Sequence, residues 1–354
     1  MAQALRLAER GLYTTSPNPR VGCVLVRGDA VVGEGWHERA GAAHAEAHAL
    51  RAAGAAARGA TAYVTLEPCS HHGRTPPCVD ALIQAGVTRV VVAGQDPNPQ
   101  VMGKGLRKLR AAGIAVECGL MESTTRELNI GFFARMTRGM PWLRSKIAMS
   151  LDGRTALANG TSQWITDAAA RRDGHHWRAR SCAVLTSIGT VLADDARLDV
   201  REVKTARQPA RVVLDSHLRL PLNARILHGG GVTIYTASTD KQRRVALERA
   251  GARVRVLADA QGRVDLNAAL RDLAAHGCNE VLVEAGSAMN GALLRAGLVD
   301  ELILYLAPQL LGDMARGMVA LEELTRLDQG IALTWNDMRQ VGKDLRIVAR
   351  IKKG

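Results

Sequence analysis

The chain has 354 residues, 47% of them hydrophobic and 3% aromatic, and carries a formal net charge of +13. That length suggests two domains of ordinary size, each with its own core, and no apolar run reaches the 18 residues that a membrane-crossing helix needs. The basic balance admits nucleic acid, but Lys and Arg are scattered, and five Trp, four Tyr and two Phe are few for stacking bases, so phosphorylated small molecules suit this surface better.

In chain order, residues 2–10 read as an amphipathic helix, without the apolar core of a signal peptide. Strands follow over 22–27 and 31–36, then a helix-forming run over 45–53 that ends at Gly54. A strand over 61–66 stops at Pro68, and Cys69 opens a loop toward a helix over 77–85. A strand over 89–93, a helix over 103–112 and a short strand over 114–116 complete this part. Strands alternating with helices predict a layered α/β sheet. Gly139-Met140-Pro141 breaks the pattern, and residues 142–149 open a new sheet, so domains are expected at 1–140 and 141–354. Further on, 211–215 reads as a strand, and 278–286 as a strand running into a loop. Residues 287–291 continue that loop into a helix over 291–296. Backbone N–H groups at such a helix start suit a phosphate, although no G-x-G-x-x-G is present. His175 and His176 stand where no motif demands them and read as surface residues. Of six thinly spread cysteines, Cys23, Cys118, Cys182 and Cys278 read as packing residues in a reducing compartment, and the cytoplasm is the expected location.

Chemistry concentrates in His44-Ala45-Glu46, Pro68-Cys69 and Cys78. One imidazole and two thiols supply three ligands for a Zn²⁺ that keeps its fourth position for water, and Glu46 is left as the proton carrier. H-x-E followed by P-C-x-x-C is the signature of zinc nucleobase deaminases. Here eight residues, 70–77, separate the cysteines instead of two. Residues two apart on a regular helix point roughly 200° apart, so His44 and Glu46 share a metal only at a ragged helix start. Buried structural cysteines and an ordinary polar histidine are the plainer alternative, and the joint spacing outweighs it. Pairing His44 with His48 imitates H-E-x-x-H, but Glu46 stands midway between them, so His48 is expected behind the ligands or in packing.

Ser16-Pro-Asn-Pro-Arg-Val-Gly22, His44-Ala-Glu46 and Thr65-Leu-Glu-Pro-Cys-Ser-His-His-Gly-Arg-Thr-Pro-Pro-Cys78 resemble the deaminase half of the bifunctional riboflavin-biosynthesis deaminase/reductase family. Ser150-Leu-Asp-Gly-Arg-Thr155, Ser162-Gln-Trp-Ile-Thr166, Val191-Leu-Ala-Asp-Asp195, Val283-Glu-Ala-Gly286 and Ala307-Pro-Gln-Leu-Leu-Gly312 resemble its reductase half. The resemblance covers essentially the whole chain, and the long cysteine spacing is that family's own. It implies a cytidine-deaminase-like α/β/α layered domain followed by a dihydrofolate-reductase-like α/β domain. It also implies Zn²⁺ held by His44, Cys69 and Cys78 with Glu46 catalytic, and Asn18, His71 and Arg74 lining the substrate. In the second half it implies NADPH against Ala148, Trp164, Thr190, Asp194, Ser216, Gly286, Ser287, Ala288, Met289, Asn290, Gly291 and Ala292. Ser162, Arg178, Leu198, Arg201 and Glu284 would hold the substrate, with the arginines favoured for its phosphate. Lys146 and Asp152 are further candidate site charges. The implied partners are phosphorylated pyrimidines, not nucleic acid or membrane, and a homo-oligomer is compatible with the sequence.

Plainer readings stand beside these: Asn18 between two prolines as a turn former, Trp164 as a core aromatic, Asp194 beside Asp195 as a solvated acidic pair. Two other functions compete. One is a zinc deaminase of another nucleobase or nucleotide with an unrelated second domain. The other is a nucleic-acid-binding protein with structural zinc, which would normally close the shell with a fourth protein ligand.

Overall fold

The computed structural model describes residues 1–70 and 77–352, and the chain divides into two compact units, Met1–Met140 and Pro141–Gly354. In the first unit the elements are α1 (Ala2–Glu9), β1 (Gly22–Arg27), β2 (Ala30–Trp36), α2 (Ala45–Ala53), β3 (Thr61–Val64) and α3 (Cys78–Gln84). They continue with β4 (Arg89–Val92), α4 (Lys104–Ala111), β5 (Ala115–Cys118), α5 (Glu122–Leu128) and α6 (Ile130–Arg138). The strands form one sheet in the order β2-β1-β3-β4-β5, antiparallel across β2-β1-β3 and parallel across β3-β4-β5. The central strands bury Val90, Val92, Leu25 and Val64 against Ala45 and Ala49 of α2 and Val79 and Leu82 of α3. Each such Val or Leu side chain contributes about 1.5–3 kcal/mol. Gly35 lets α2 lie close on β2, since a Cβ there would stand 2.3 Å from the Ala45 carbonyl oxygen. The start of α2, with the metal motif, is therefore fixed against the sheet.

Helices α5 and α6 have no counterpart in the sequence pattern. Residues 122–128 are rich in Ser and Thr, poor helix formers by local propensity. Long-range contacts impose them. The Asn129 carboxamide accepts from Arg20 N (2.7 Å) and donates to Arg20 O (3.0 Å), and the Thr125 hydroxyl donates to Thr65 O (2.6 Å). Phe132 and Phe133 then cluster with Leu66.

In the second unit, β6 (Trp142–Ser150), β7 (Arg154–Ala156), α7 (Ala168–Arg180), β8 (Ala183–Ser187) and α8 (Ile188–Asp194) come first. Next are β9 (Ala210–Leu214), β10 (Val232–Thr236), α9 (Lys241–Arg249), β11 (Ala252–Val256), α10 (Leu266–Ala275) and β12 (Glu280–Val283). Finally α11 (Ser287–Arg295), β13 (Glu301–Ala307), β14 (Arg316–Gly317), β15 (Leu333–Val341) and β16 (Asp344–Ile351) follow. The large sheet runs β11-β10-β9-β8-β12-β6-β13-β16-β15. It is parallel from β11 through β13, with β16 and β15 antiparallel at one edge. At its middle the buried Arg144 of β6 pairs with Glu280 of β12 and Glu301 of β13, binding three neighbouring strands by charge.

Three expectations are corrected here. The helix expected from 291 begins at Ser287, with Gly286 as its N-cap, so 287–291 is helix rather than loop. His175 is buried rather than on the surface, because it lies on the face of α7 turned inward. Cys118 is exposed rather than packed, because it ends the edge strand β5.

Candidate active sites

His44 is the N-cap of α2, with extended backbone (φ −76°, ψ 165°), and Glu46 lies in the first helical turn. This break between cap and helix lets side chains two apart converge. Cys69 leaves the loop after β3, and Cys78 is the first residue of α3, so both thiols sit at or before a helix start. The Cys78 backbone N–H donates to Cys69 Sγ at 3.4 Å. His44 Nδ1 is 3.2 Å from Cys78 Sγ and 3.6 Å from Cys69 Sγ, and all three ligand atoms lie within 4.8 Å of one another. Tetrahedral zinc with ordinary bond lengths sets N to S about 3.5 Å apart, so this donor set fits the metal in chemistry and size. A hydrogen bond with Cys78, helped by His44, holds the Cys69 thiol down at about 4 against the effect of burial. Sharing that hydrogen bond, together with burial, pushes the Cys78 thiol up. Burial also lifts the Glu46 carboxyl above the usual range.

Two further side chains shape this site without having shown themselves in the sequence. His37 is buried, its Nδ1 3.1 Å from Ala43 O, its Nε2 3.1 Å from Asn18 Nδ2, and its ring edge-on to His44. It thereby ties Asn18 to the residue that precedes the first ligand. Glu67 accepts backbone N–H bonds from Asp96, Gly103, Gly105 and Leu106 (2.9–3.3 Å), which fixes the chain two residues before Cys69 to the start of α4. Neither carries a spacing signal; Glu67 has only its position inside the cysteine motif. His48 packs beside Gly35 on β2, away from the ligand set. His71 and Arg74 lie outside the described residues.

In the second unit the expected residues gather where parallel strands end, the usual binding edge of an open α/β sheet. Ala148 is near the end of β6, Thr190 follows β8 with its hydroxyl 3.4 Å from that of Ser187, and Asp194 ends α8 and is exposed. Ser216 follows β9 and accepts from Val264 N at 3.2 Å. Trp164 is 68% exposed with the Arg171 guanidinium 4.5 Å from its ring centre, so it is not a core aromatic. Ser162 lies two residues before it, half-buried.

The α11 start splits in two. Gly286 to Met289 form the cap and first turn, and a Cβ at Gly286 would meet nothing within 4 Å. Asn290 instead turns into the protein, accepting from Ser145 Oγ (3.0 Å) and donating to Ala285 O and Met318 O. A Cβ at Gly291 would stand 1.9 Å from Ala320 O. Asn290 and Gly291 thus seat the helix against the 318–320 segment, and Ala292 follows them, half-buried.

The substrate candidates form a charged cluster. Arg178 of α7 grips Glu284 with Nε and Nη2 (2.8 Å for the latter), and its Nη1 donates to Asp199 O at 3.0 Å. All three nitrogens of that guanidinium are engaged within the protein. Lys146 Nζ stands 4.0 Å from Glu284. Burial opposes ionisation of Glu284, but Arg178, with Lys146 behind it, holds the carboxyl at about 2. Burial lowers Lys146, and Glu284 works against that. Arg201 is exposed, with Nη1 on Asp199. Leu198 is buried, with φ +54°, so its side chain belongs to the core and only its backbone is available to a ligand. Asp152 accepts from Leu311 N, Gly312 N and the Ser150 hydroxyl, an anchor for the loop after β13.

Known proteins match both units. The cytidine and deoxycytidylate deaminase zinc-binding region matches residues 1–94, and the RibD C-terminal domain matches residues 141–347. The riboflavin biosynthesis protein RibD of Escherichia coli (strain K12) is 51% identical over 98% of this chain and 96% of its own. The chain belongs to the RibD family. It is a bifunctional deaminase and reductase of riboflavin biosynthesis, with Zn²⁺ and NADPH as its cofactors. The RibD of Haemophilus influenzae is 46% identical over 98% of this chain and 95% of its own. Acinetobacter baumannii RibD (form 2) superposes with a TM-score of 0.92 at 46% identity, covering 99% of this chain and 97% of that one. The diaminohydroxyphosphoribosylaminopyrimidine deaminase/5-amino-6-(5-phosphoribosylamino)uracil reductase of Thermotoga maritima gives 0.88 at 32% identity, covering 99% and 97%. Among the described residues no helix is long and apolar enough to cross a membrane.

Proposed function

We propose that residues 1–140 deaminate 2,5-diamino-6-(5-phosphoribosylamino)pyrimidin-4(3H)-one by hydrolysis. Residues 141–354 then reduce the ribosyl group of 5-amino-6-(5-phosphoribosylamino)uracil to ribityl with NADPH, in the cytoplasm. Both substrates are phosphorylated pyrimidines rather than nucleic acid. The observation that carries the first half is the convergence of His44, Cys69 and Cys78 within 4.8 Å beside a buried Glu46.

Zinc, when bound by His44, Cys69 and Cys78, acidifies water at neutral pH. Glu46 takes a proton from the attacking water and delivers it to the departing amine, the second water proton ends on the ring nitrogen as C=N becomes C–NH, and the C–NH₂ bond is exchanged for C=O as ammonia leaves. Its raised pKa suits a group that must both accept and release a proton. Asn18, held by His37, presents its amide to the pyrimidine edge.

NADPH supplies the hydride for the second reaction, and the protein supplies placement. Gly286 to Ala288 offer the first-turn N–H groups of α11 to a cofactor phosphate, while Met289 N donates to Gly286 O, with Ser216, Thr190 and Asp194 at neighbouring strand ends. Glu284 is kept ionised by Arg178 and is an acceptor for sugar hydroxyls. Arg178 gives three of its five N–H groups to Glu284 and Asp199 and is 15% exposed, so the 46% exposed Arg201 is the more accessible guanidinium for the phosphate.

Purified, zinc-loaded protein given the diaminopyrimidine substrate and NADPH should release one ammonia for each NADPH consumed. Ammonia release with no loss of NADPH absorbance would overturn the second assignment and favour a deaminase with an unrelated partner domain.

A further inference from the structure

His175 accepts a hydrogen bond at Nδ1 from the backbone N–H of Arg201, at 3.3 Å. Its side chain is buried, and only an imidazole unprotonated at Nδ1 can accept there. The segment it touches is held at three successive residues. Arg178 donates to Asp199 O (3.0 Å), Gln208 brackets Val200 through both N (2.8 Å) and O (3.0 Å), and His175 takes Arg201 N. Just before them, Leu198 occupies the left-handed region, a conformation that persists only when surrounding contacts enforce it. Arg197 and Arg201 both pair with Asp199, so the tip of the segment is cationic and open while its base is pinned.

We infer that His175 is a positioning residue of the reductase site: through Nδ1 it fixes the Arg201 backbone so that the Arg201 guanidinium meets the substrate phosphate. This rests on reading Arg201 as the phosphate residue. Two features support it. Arg178 is 15% exposed and has three of its five N–H groups on Glu284 and Asp199, whereas Arg201 is 46% exposed and pairs with Asp199 through Nη1, so the more accessible guanidinium is Arg201 and the phosphate contact depends on what holds it in place. Burial, then the charges of Arg178 and Arg201, keep His175 down at about 4, against the weaker pull of Glu284 and Glu202. The imidazole is therefore an acceptor throughout the neutral range rather than a proton shuttle.

The test uses the full-length enzyme with NADPH and two substrates, 5-amino-6-(5-phosphoribosylamino)uracil and its dephosphorylated counterpart. His175→Leu keeps apolar bulk and removes the acceptor; it should raise KM for the phosphorylated substrate about fivefold, the worth of an ordinary hydrogen bond. kcat and the KM for NADPH should stay within about twofold, and the dephosphorylated substrate should not notice the change, since one neutral contact acts here only through the phosphate. His175→Asn, whose Oδ1 branches from the same carbon as Nδ1, should restore the KM. Should the Leu variant not fold, His175→Ala carries the same expectation. Equal losses with and without the phosphate, or no rise in KM, would overturn the proposal. Arg201→Ala separates the two layers. If it too leaves the phosphorylated KM unchanged, the reading of Arg201 fails; if it raises that KM while His175→Leu does not, the positioning role alone fails.

Discussion

Glu284→Gln should destabilise the second unit by an amount that depends on pH in a calculable way. In the folded protein the Glu284 carboxyl, despite its burial, is held at about 2 by Arg178, against its ordinary 4.5. A carboxyl depressed on folding contributes stability that is fully present above its unfolded pKa and lost as pH falls through its folded pKa. The difference amounts to about 3 kcal/mol at pH 7, falls to about 1 kcal/mol near pH 3 and is nearly gone by pH 2. Gln keeps the shape of the side chain and some of the hydrogen bonding, but leaves the Arg178 charge buried without a counter-charge. Guanidinium unfolding followed by tryptophan fluorescence reads the right region, because four of the five tryptophans (Trp142, Trp164, Trp177 and Trp335) lie in the second unit. Comparing wild type with variant at each pH cancels the titrating groups that do not feel Glu284; His175, which does, is removed from the comparison by repeating it in a His175→Leu background. The penalty of the variant should shrink by about 2 kcal/mol between pH 7 and pH 3. A penalty equal at both pH values would mean that Glu284 acts by packing alone, and the electrostatic reasoning would fail.

Glu46→Gln should keep one equivalent of zinc while deamination falls at least about 100-fold, whereas Cys69→Ser should lose both; metal analysis of the two purified variants decides it. Gly291→Ala should lower the melting temperature of the second unit, at a cost of at least about 1–3 kcal/mol, because its Cβ has no space against Ala320. Gly286→Ala meets nothing within 4 Å, so it should leave the melting temperature unchanged and report in the KM for NADPH if the first turn of α11 binds a cofactor phosphate. Ser216 follows β9 at a strand end and the exposed Arg219 lies three residues on, so these two are expected to meet the 2′-phosphate of NADPH: turnover should favour NADPH over NADH by at least about tenfold, eroded by Ser216→Ala and further by Arg219→Ala, and equal turnover with both cofactors would refute that role.

The convergence of His44, Cys69 and Cys78 was legible because its signals are local and punctuated. Gly54 ends α2, Pro68 ends the strand before Cys69, and Pro77 caps α3, so the chain order already delivers His44 and Cys78 to helix starts and Cys69 to the loop after a strand. The alternation of strands and helices gave the layered first unit for the same reason: burial on one face leaves a period in the sequence. What the sequence could not carry is pairing across long separations. Arg178 and Glu284 are 106 residues apart, and Arg20 and Asn129 are 109 apart. The first pair draws most of the Arg178 guanidinium inward, and the second imposes α5 and α6 on a stretch with little helical preference of its own. His37, and His175 beside His176, look like ordinary histidines until the end of β2 and the inner face of α7 turn them inward. Asn290 and Gly291 share a motif with Gly286, yet only the approach of residues 318–320 separates the packing part of that motif from the open part. Local chemistry fixed which residue types were on hand; the folded backbone decided which of their donors, acceptors and charges remained free to meet a substrate.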